Sequence, residues 1–436
     1  MRISVIGCGY LGAVHAASMA SIGHEVVGID VDARKIEALA RGEAPIFEPG
    51  LPELLVSGVA SGALRFSTSI ADAAGSDVHF ITVGTPQLPG SDAADLRYVR
   101  AAFDSLIPHL REGDVVAGKS TVPVGTAAEL AVPLHDAGAT LVWNPEFLRE
   151  GWAVEDTVNP DRVVVGVPSG PDGERAAGIL RELYSTALAN DIPYIVTDYA
   201  TAELVKVSAN AFLATKISFI NAMAEIAEAT GADVTQLADA IGHDSRIGRR
   251  FLGAGIGFGG GCLPKDIRAF AARAEELGLR DSVGFLREVD AINLRRRSRA
   301  VQLVLEETGG SVVGTRVAVL GAAFKPHSDD VRDSPALDVA VRLHGLGARV
   351  IVTDPQAVPT ARALHPQLTY TTSRDEALRD ADVIVIVTEW DEYRRQMSPD
   401  DVAALTDGRI IVDGRNCLNA EQWRSAGWRY RGMGRP

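Results

Sequence analysis

Apolar residues recur along this chain in two rhythms. Up to about residue 197 they form short β-rich runs at 3–6, 25–29, 77–83, 114–118, 139–143, 161–167 and 192–196, separated by longer stretches of helical spacing. Continuous apolar strands alternating with helices predict an open parallel sheet covered on both faces. From Asp198 to Thr230 the pattern becomes one run without proline or internal glycine, stopped by Gly231. It predicts a helix spanning roughly 45–50 Å at about 1.5 Å per residue, long enough to link domains and to form an oligomer face. A short helical segment at 233–241 and helices within 265–307 follow, and from Thr315 the first rhythm returns: strands at 316–321, 349–353, 383–388 and 409–413, with a helix near 335–346. The expected fold class is α/β, with two Rossmann-like doubly wound domains, 1–197 and 306–436, joined by a central helical domain, 198–305, that carries the one long helix.

The turns between these elements carry the chemistry. The first strand runs into Gly7-x-Gly9-Tyr10-Leu11-Gly12 and an alanine-rich helix, and the second strand ends on Asp30, 18 positions beyond Gly12. Strand, glycine turn, helix and a distal acid together predict a dinucleotide site: Gly7 for the tight turn, Gly9 for close approach of the pyrophosphate, Gly12 for packing of helix on strand. Asp30 would accept from a ribose diol and repel a 2′-phosphate, which favours NAD over NADP. The second α/β segment lacks the glycine pattern after 316–321, which argues against a second dinucleotide. Thr85, Thr121, Glu146 and Glu150 follow predicted strands, where an open sheet forms its ligand crevice. Glu146 and Glu150, at i,i+4, would share a helix face, either in that cleft or as a solvated helical turn.

Residues 251–266 concentrate glycine at 253, 255, 257 and 259–261, then Cys262, Pro264, Lys265 and Asp266. Such density is expected where the backbone takes positive φ or lies very close to something else, here read as a ligand; the bland alternative is a flexible linker before a buried cysteine. Pro264 suits the first turn of a helix, which would put Cys262 at the positive helix end, where a thiolate is stabilised, with Asp266 one turn along. Lys206 and Asn210, also i,i+4, lie on the long helix among apolar residues, and periodicity leaves open whether they face the interior or solvent. Lys325 and Arg415 would meet at one sheet edge, as a diphosphate site or as surface charge. His243 reads as a turn residue, the basic run Arg295–Arg299 as a solvated face or dimer rim, and Cys8 and Cys417 as structural.

Composition narrows the classes. With 436 residues and 46% hydrophobic content the chain is an ordinary globular protein of two or three domains. A formal charge of −14 argues against nucleic-acid or acidic-membrane partners, although Arg246, Arg249 and Arg250 could make a local anion pocket. Three distant cysteines point to a reducing compartment, no metal-ligand spacing occurs, and neither a signal segment nor a membrane-length apolar run is present, so a cytoplasmic location is expected.

An NAD site combined with a nucleophilic cysteine suggests oxidation of an alcohol through an aldehyde and a thioester to an acid. Over nearly its whole length the chain resembles the UDP-glucose/GDP-mannose 6-dehydrogenase family. The resemblance is carried by Gly7-x-Gly9-Tyr10-x-Gly12, Val83-Gly-Thr-Pro86, Lys119-Ser-Thr-Val-Pro-Val-Gly125, Asn144-Pro-Glu-Phe-Leu-Arg-Glu-Gly151, Lys206-x-x-x-Asn210, Gly257–Asp266, Phe324-Lys-Pro and Asp413-Gly-Arg415. Asp244–Gly248 followed by Phe251-Leu252 resembles the UDP-glucose members more than the GDP-mannose members, and the UDP-N-acetylmannosamine branch ranks lower.

The resemblance implies that Cys262 captures the C6 aldehyde and holds the thioester. Lys206 and Asn210 would stabilise oxyanions, Asp266 and Thr121 would position water, and Glu146 would assist proton transfer and thioester hydrolysis. NAD would be held by Gly7, Gly9, Tyr10, Leu11, Gly12, Asp30, Lys35, Thr85, Thr121, Glu150, Lys265 and Arg332. The nucleotide sugar, UDP-glucose by this resemblance, would meet Glu146, Phe147, Leu148, Lys206, Asn210, Arg246, Phe251, Leu252, Gly253, Gly257, Phe258, Gly259, Phe324, Lys325 and Arg415. Two positions depart from the family pattern: Gly261, where many members have serine, and Gly253, where some have a basic residue. A homodimer or higher homo-oligomer is expected through the long helix. The non-enzyme reading, a silent nucleotide-sugar binder, would have lost Cys262 or Lys206, and both are present.

Overall fold

The computed structural model describes all 436 residues, Met1–Pro436. They fall into two compact units, Met1–Ala209 with Ala272–Gly278, and Asn210–Ala271 with Leu279–Pro436.

In the first unit eight strands, β1 Arg2–Ile6, β2 Glu25–Ile29, β3 Leu64–Ser67, β4 Val78–Ile81, β5 Val115–Gly118, β6 Thr140–Trp143, β7 Val163–Gly166 and β8 Tyr194–Thr197, form one sheet in the order β3-β2-β1-β4-β5-β6-β7-β8. Alternate residues feed two cores. Val115, Ala117, Val163 and Val165 join the cluster that contains Ala13, Ala16 and Ala17 of the helix Tyr10–Ser21, whereas Val116 and Val164 join Phe103, Leu130 and Leu134 on the other face. Burial on both faces is why these strands read as unbroken apolar runs. The sheet departs from the expected parallel pattern at one junction, where β6 and β7 meet antiparallel at Trp143 and Gly166. The connection leaves β7 to start from the edge at which β6 ends.

In the second unit β9 Arg316–Leu320, β10 Arg349–Thr353, β11 Thr369–Thr371, β12 Val383–Ile386, β13 Ile410–Asp413 and β14 Arg429–Gly432 are all parallel, in the order β11-β10-β9-β12-β13-β14. This repeats the order of the first six strands of unit 1. The turn after β9 is closed from within, because the buried carboxylate of Asp354 accepts the N–H groups of Ala322 and Ala323 at 2.8 and 3.0 Å and the Trp390 indole N–H at 3.0 Å. A carboxylate already occupies the donors that a phosphate would use.

The long helix covers Tyr199–Thr230, and the division between units falls inside it, between Ala209 and Asn210. No helix is long and apolar enough to cross a membrane. Two local expectations are overturned. Residues 144–149 are irregular rather than helical, so Glu146 and Glu150 share no helix face. The Glu146 carboxylate instead accepts the Leu148 N–H at 2.7 Å, a short-range bond that competes with a helical turn. In the basic run of the helix Phe285–Glu307, Arg296 and Arg297 are buried rather than solvated. Arg296 donates to Gly255 O and pairs with Glu228, both at 3.3 Å, and Arg297 pairs with Asp333 at 2.8 Å.

Candidate active site

In unit 1 the glycine turn is shaped for a dinucleotide. A Cβ on Gly12 would stand 1.9 Å from Gly7 O, so the helix could not pack this closely with any other residue, whereas the Cβ direction of Gly9 is open, with nothing within 4 Å. The helix Tyr10–Ser21 has neither a side-chain cap nor an acid in its first turn, leaving its leading N–H groups and positive dipole end to an anion. Asp30 ends β2, where its carboxylate accepts from Lys35 Nζ at 2.8 Å and from Asp32 N at 3.0 Å. Leu11 is half-buried in the first turn, and Tyr10 donates to Glu48. Burial and that hydrogen bond to the carboxylate push the Tyr10 phenol far up, so it stays protonated.

Glu48 has no motif to announce it. Its buried carboxylate also accepts Gly151 N at 2.6 Å and Ala153 N at 2.7 Å, so one side chain ties the first turn of the cofactor helix to the end of the loop that carries Glu150. Thr85 and Thr121 are brought together as Thr85 Oγ1 donates to Thr121 O at 2.8 Å. The turn beyond Thr121 is held by Glu203 of the long helix, which accepts Gly125 N and Ala127 N at 2.8 and 2.7 Å, and by Arg273, which donates to Val124 O at 3.0 Å.

The question periodicity left open is settled by burial: Lys206 is 5% accessible and Asn210 8%. Lys206 Nζ lies 2.9 Å from Glu146 Oε1 and 5.6 Å from the centroid of the Phe147 ring, on whose face Arg162 also stacks at 3.9 Å. Burial alone would raise the Glu146 carboxyl, but the Lys206 charge and hydrogen bond, the Leu148 N–H and the more distant Lys119 outweigh it and hold the carboxyl below its ordinary value. Leu148 is half-buried beside it.

In unit 2 Cys262 is exposed immediately before the helix Leu263–Glu276, and its carbonyl accepts the first helical bond, from Asp266 N at 3.0 Å. Cys8 and Cys417 differ, since burial pushes both thiols well above the ordinary range. Asp266 is buried, accepts Asn210 Nδ2 at 2.6 Å and pairs with Lys265. The fold thus joins two candidate residues 56 positions apart.

The glycine run is explained first by the chain's own neighbours rather than by a ligand. At Gly257, φ is +94° and a Cβ would lie 2.2 Å from Asn293 Oδ1; at Gly260, φ is +85° and it would enter the Phe324 ring. Gly261 faces the Arg332 guanidinium, where any Cβ would collide at 2.3 Å, while Gly253 is open. A small residue before Cys262 therefore makes room for Arg332, which pairs with Asp330 at 2.7 Å. Asn293 clamps Phe258, accepting its N–H at 2.7 Å and donating to its C=O at 2.9 Å, and Asn221 accepts Gly255 N at 2.9 Å. Leu252 and Phe258 are buried, and Phe251 is partly exposed at φ 66°.

Arg415 donates to Val387 O, Gly257 O and Phe324 O at 2.8, 2.8 and 2.9 Å, so it clamps three loops, Gly257 included. Lys325 Nζ lies 5.3 Å from the centroid of the neighbouring Phe324 ring. Gly259 abuts Asp333 O. Arg246 projects from the surface, paired with Asp244 at 2.6 Å.

Three family models match in succession: the NAD binding domain of the UDP-glucose/GDP-mannose dehydrogenase family over residues 1–188, its central domain over 200–295 and its UDP binding domain over 318–420. The chain is 43% identical over 441 residues to a UDP-glucose 6-dehydrogenase of Rhizobium meliloti, with all of both chains covered. It is 43% identical over 442 residues to one of Bacillus subtilis, covering 100% of this chain and 93% of that one. Among solved structures it is similar to a UDP-glucose dehydrogenase from the hyperthermophilic archaeon Pyrobaculum islandicum, with a TM-score of 0.90 and 40% identity over 100% of this chain and 98% of the other.

Proposed function

The chain belongs to the UDP-glucose/GDP-mannose dehydrogenase family, and from that premise we propose that it oxidises the C6 hydroxymethyl of UDP-glucose to the carboxylate of UDP-glucuronate, with NAD as cofactor. Full-length similarity to UDP-glucose enzymes supports the choice of sugar. The observation that carries the cysteine chemistry is the exposure of Cys262 at the start of a 14-residue helix, where the helix dipole favours a thiolate.

The residues of unit 1 fit NAD: the turn Gly7–Gly12 offers the pyrophosphate open backbone and a free helix end, and Asp30 offers the ribose a carboxylate. Bound there, with Thr85, Thr121, Glu150, Lys265 and Arg332 as the further proposed contacts, NAD supplies hydride acceptance, once per oxidation. The sugar alcohol first loses a hydride and a proton, the proton passing to water held by Thr121 and Asp266. The Cys262 sulfur then bonds to the aldehyde carbon, and the hemithioacetal oxygen is stabilised by Lys206 and by the Asn210 amide. The oxyanion formed by the thiolate then gives up a second hydride, which leaves a thioester. Glu146 takes a proton from the water that attacks it, the C–S bond breaks, and the thiolate returns. The sum is four electrons out, one water in and three protons released.

Arg246, the backbone of 251–259 with Phe258, Glu146 to Leu148, Phe324, Lys325 and Arg415 complete the proposed sugar-nucleotide contacts. Phe212, Phe219 and Ile226, seven residues apart on the long helix and 67%, 49% and 55% accessible, form an apolar stripe that supports a homo-oligomer through this face. The test is a titration of NADH against UDP-glucuronate formed, with GDP-mannose and UDP-N-acetylmannosamine assayed alongside. Two NADH per sugar with UDP-glucose is the expected result; one NADH per sugar overturns the four-electron mechanism, and faster turnover of another sugar overturns the substrate.

A further inference from the structure

Lys119 poses a problem in unit 1. It is buried, yet its ammonium has no carboxylate within ion-pairing distance: it donates to Asn144 Oδ1 at 2.9 Å and to Tyr184 Oη at 3.2 Å, and Tyr184 Oη itself donates to Asn144 Oδ1 at 2.7 Å. Burial depresses the Lys119 ammonium to about 8, and the charge of Glu146 acts in the opposite sense. A neutral side chain of similar shape would cost less, so a buried cation without its own anion calls for a task.

Lys119, Asn144, Tyr184, His15 and Glu146 line one cavity of about 50 Å³. At roughly 10–15 Å³ per water, it has room for about three to five. His15 Nε2 is buried there without a partner, and burial keeps the ring neutral, so it offers a hydrogen bond rather than a charge. Of the other charged groups at the cavity, Asp156 is bound by Arg149 at 2.5 Å and Arg162 stacks on Phe147. Asp161 also lines it, and Lys206 reaches Glu146 from the long helix. Tyr184 stays neutral because burial raises its phenol.

We propose that Lys119 is a positioning residue for Glu146: it holds the Asn144–Glu146 segment through Asn144 Oδ1 and supplies, across this cavity, a second positive charge that keeps Glu146 ionised when Lys206 turns to the developing oxyanion. The inference rests on the roles given above to Glu146 and Lys206. At rest Glu146 is paired with Lys206 at 2.9 Å. Once Lys206 is engaged by the substrate, a buried carboxylate left alone would take up a proton and cease to act as a base. Two lysines around one carboxylate leave a net positive charge, which also suits an anionic product.

The test is the pH dependence of kcat for NADH release from UDP-glucose in the full-length protein. Glu146 must be ionised to act, so activity is lost as pH falls through its pKa. Removing a cation raises that pKa, and Lys119→Met should move the acid limb to higher pH by roughly one unit, with the KM for NAD and for UDP-glucose unchanged. Lys119→Arg should return the limb toward its original place. Asn144→Asp, which gives Lys119 a carboxylate of its own without emptying the site, should shift the limb in the same direction and serves if Lys119→Met does not fold. A folded Lys119→Met or Asn144→Asp protein with reduced amplitude and an unmoved acid limb would show a merely structural lysine and overturn the proposal. Glu146→Gln separates the two readings: if the acid limb survives in it, the assignment of Glu146 fails, whatever the Lys119 variants do.

Discussion

Replacing Asn293 by alanine should damage both stability and sugar-nucleotide binding. The side chain is fully buried on the helix Phe285–Glu307 and makes a two-point clamp on Phe258, at 2.7 Å to N and 2.9 Å to O. Phe258 O keeps a second donor, Arg297 Nη2 at 3.4 Å, but Phe258 N has no other acceptor. Two neutral hydrogen bonds contribute about 1 kcal/mol each, and an orphaned buried N–H costs about 1–3 kcal/mol, so a loss of about 2–4 kcal/mol is expected after the benefit of no longer burying the amide. For a unit of some two hundred residues this corresponds to a fall in Tm of roughly 5–15 °C. The assay is thermal unfolding alongside steady-state kinetics, where the KM for UDP-glucose should rise and the KM for NAD should not. Asn293→Leu keeps the volume without the hydrogen bonds and should fare no better than alanine. A leucine variant that melts within 2 °C of the parent with unchanged KM would refute the clamp.

The cysteines should separate cleanly under alkylation: one equivalent of iodoacetamide should modify Cys262 and abolish turnover, since Cys8 is buried and Cys417 largely so. Peptide mapping that finds Cys8 or Cys417 modified at a comparable rate contradicts this. Asp30→Ser removes the carboxylate that would repel a 2′-phosphate and releases Lys35 from its 2.8 Å pair, so the NAD-to-NADP ratio of kcat/KM should fall at least about tenfold, roughly 1.4 kcal/mol; an unchanged ratio sinks the assignment. Glu203→Ala leaves Gly125 N and Ala127 N without their acceptor and should lower stability by about 1–3 kcal/mol in urea denaturation, with a wild-type midpoint counting against the role. Phe219→Asp, in the middle of the exposed stripe, should shift the protein toward monomer in light scattering, and an unchanged mass places the oligomer contact elsewhere.

Strand runs, the glycine fingerprint, Asp30 and the helical stop at Gly231 were legible in the chain because each depends on neighbours within a turn or two of backbone. The amino-acid sequence alone also determined that Cys262 would precede a helix, through Pro264 and the absence of breakers as far as Glu276. What it could not determine was the partner of each buried polar group. Lys206 and Asn210 could have faced either way on a helix apolar on several sides, and burial was decided by Glu146 and Asp266, 60 and 56 residues away. A run of arginines reads as solvated because charge is costly to bury, yet Arg296 and Arg297 are buried where Gly255 O, Glu228 and Asp333 receive them. Glu146 and Glu150 read as a helical pair until Leu148 N supplied a nearer partner. Glu48 and Asn293 carried no local signal at all, since a lone buried carboxylate or amide is defined only by the backbone groups that reach it. Period and turn chemistry are local properties of a chain; the pairing of buried charges and amides belongs to residues that only the folded structure brings together.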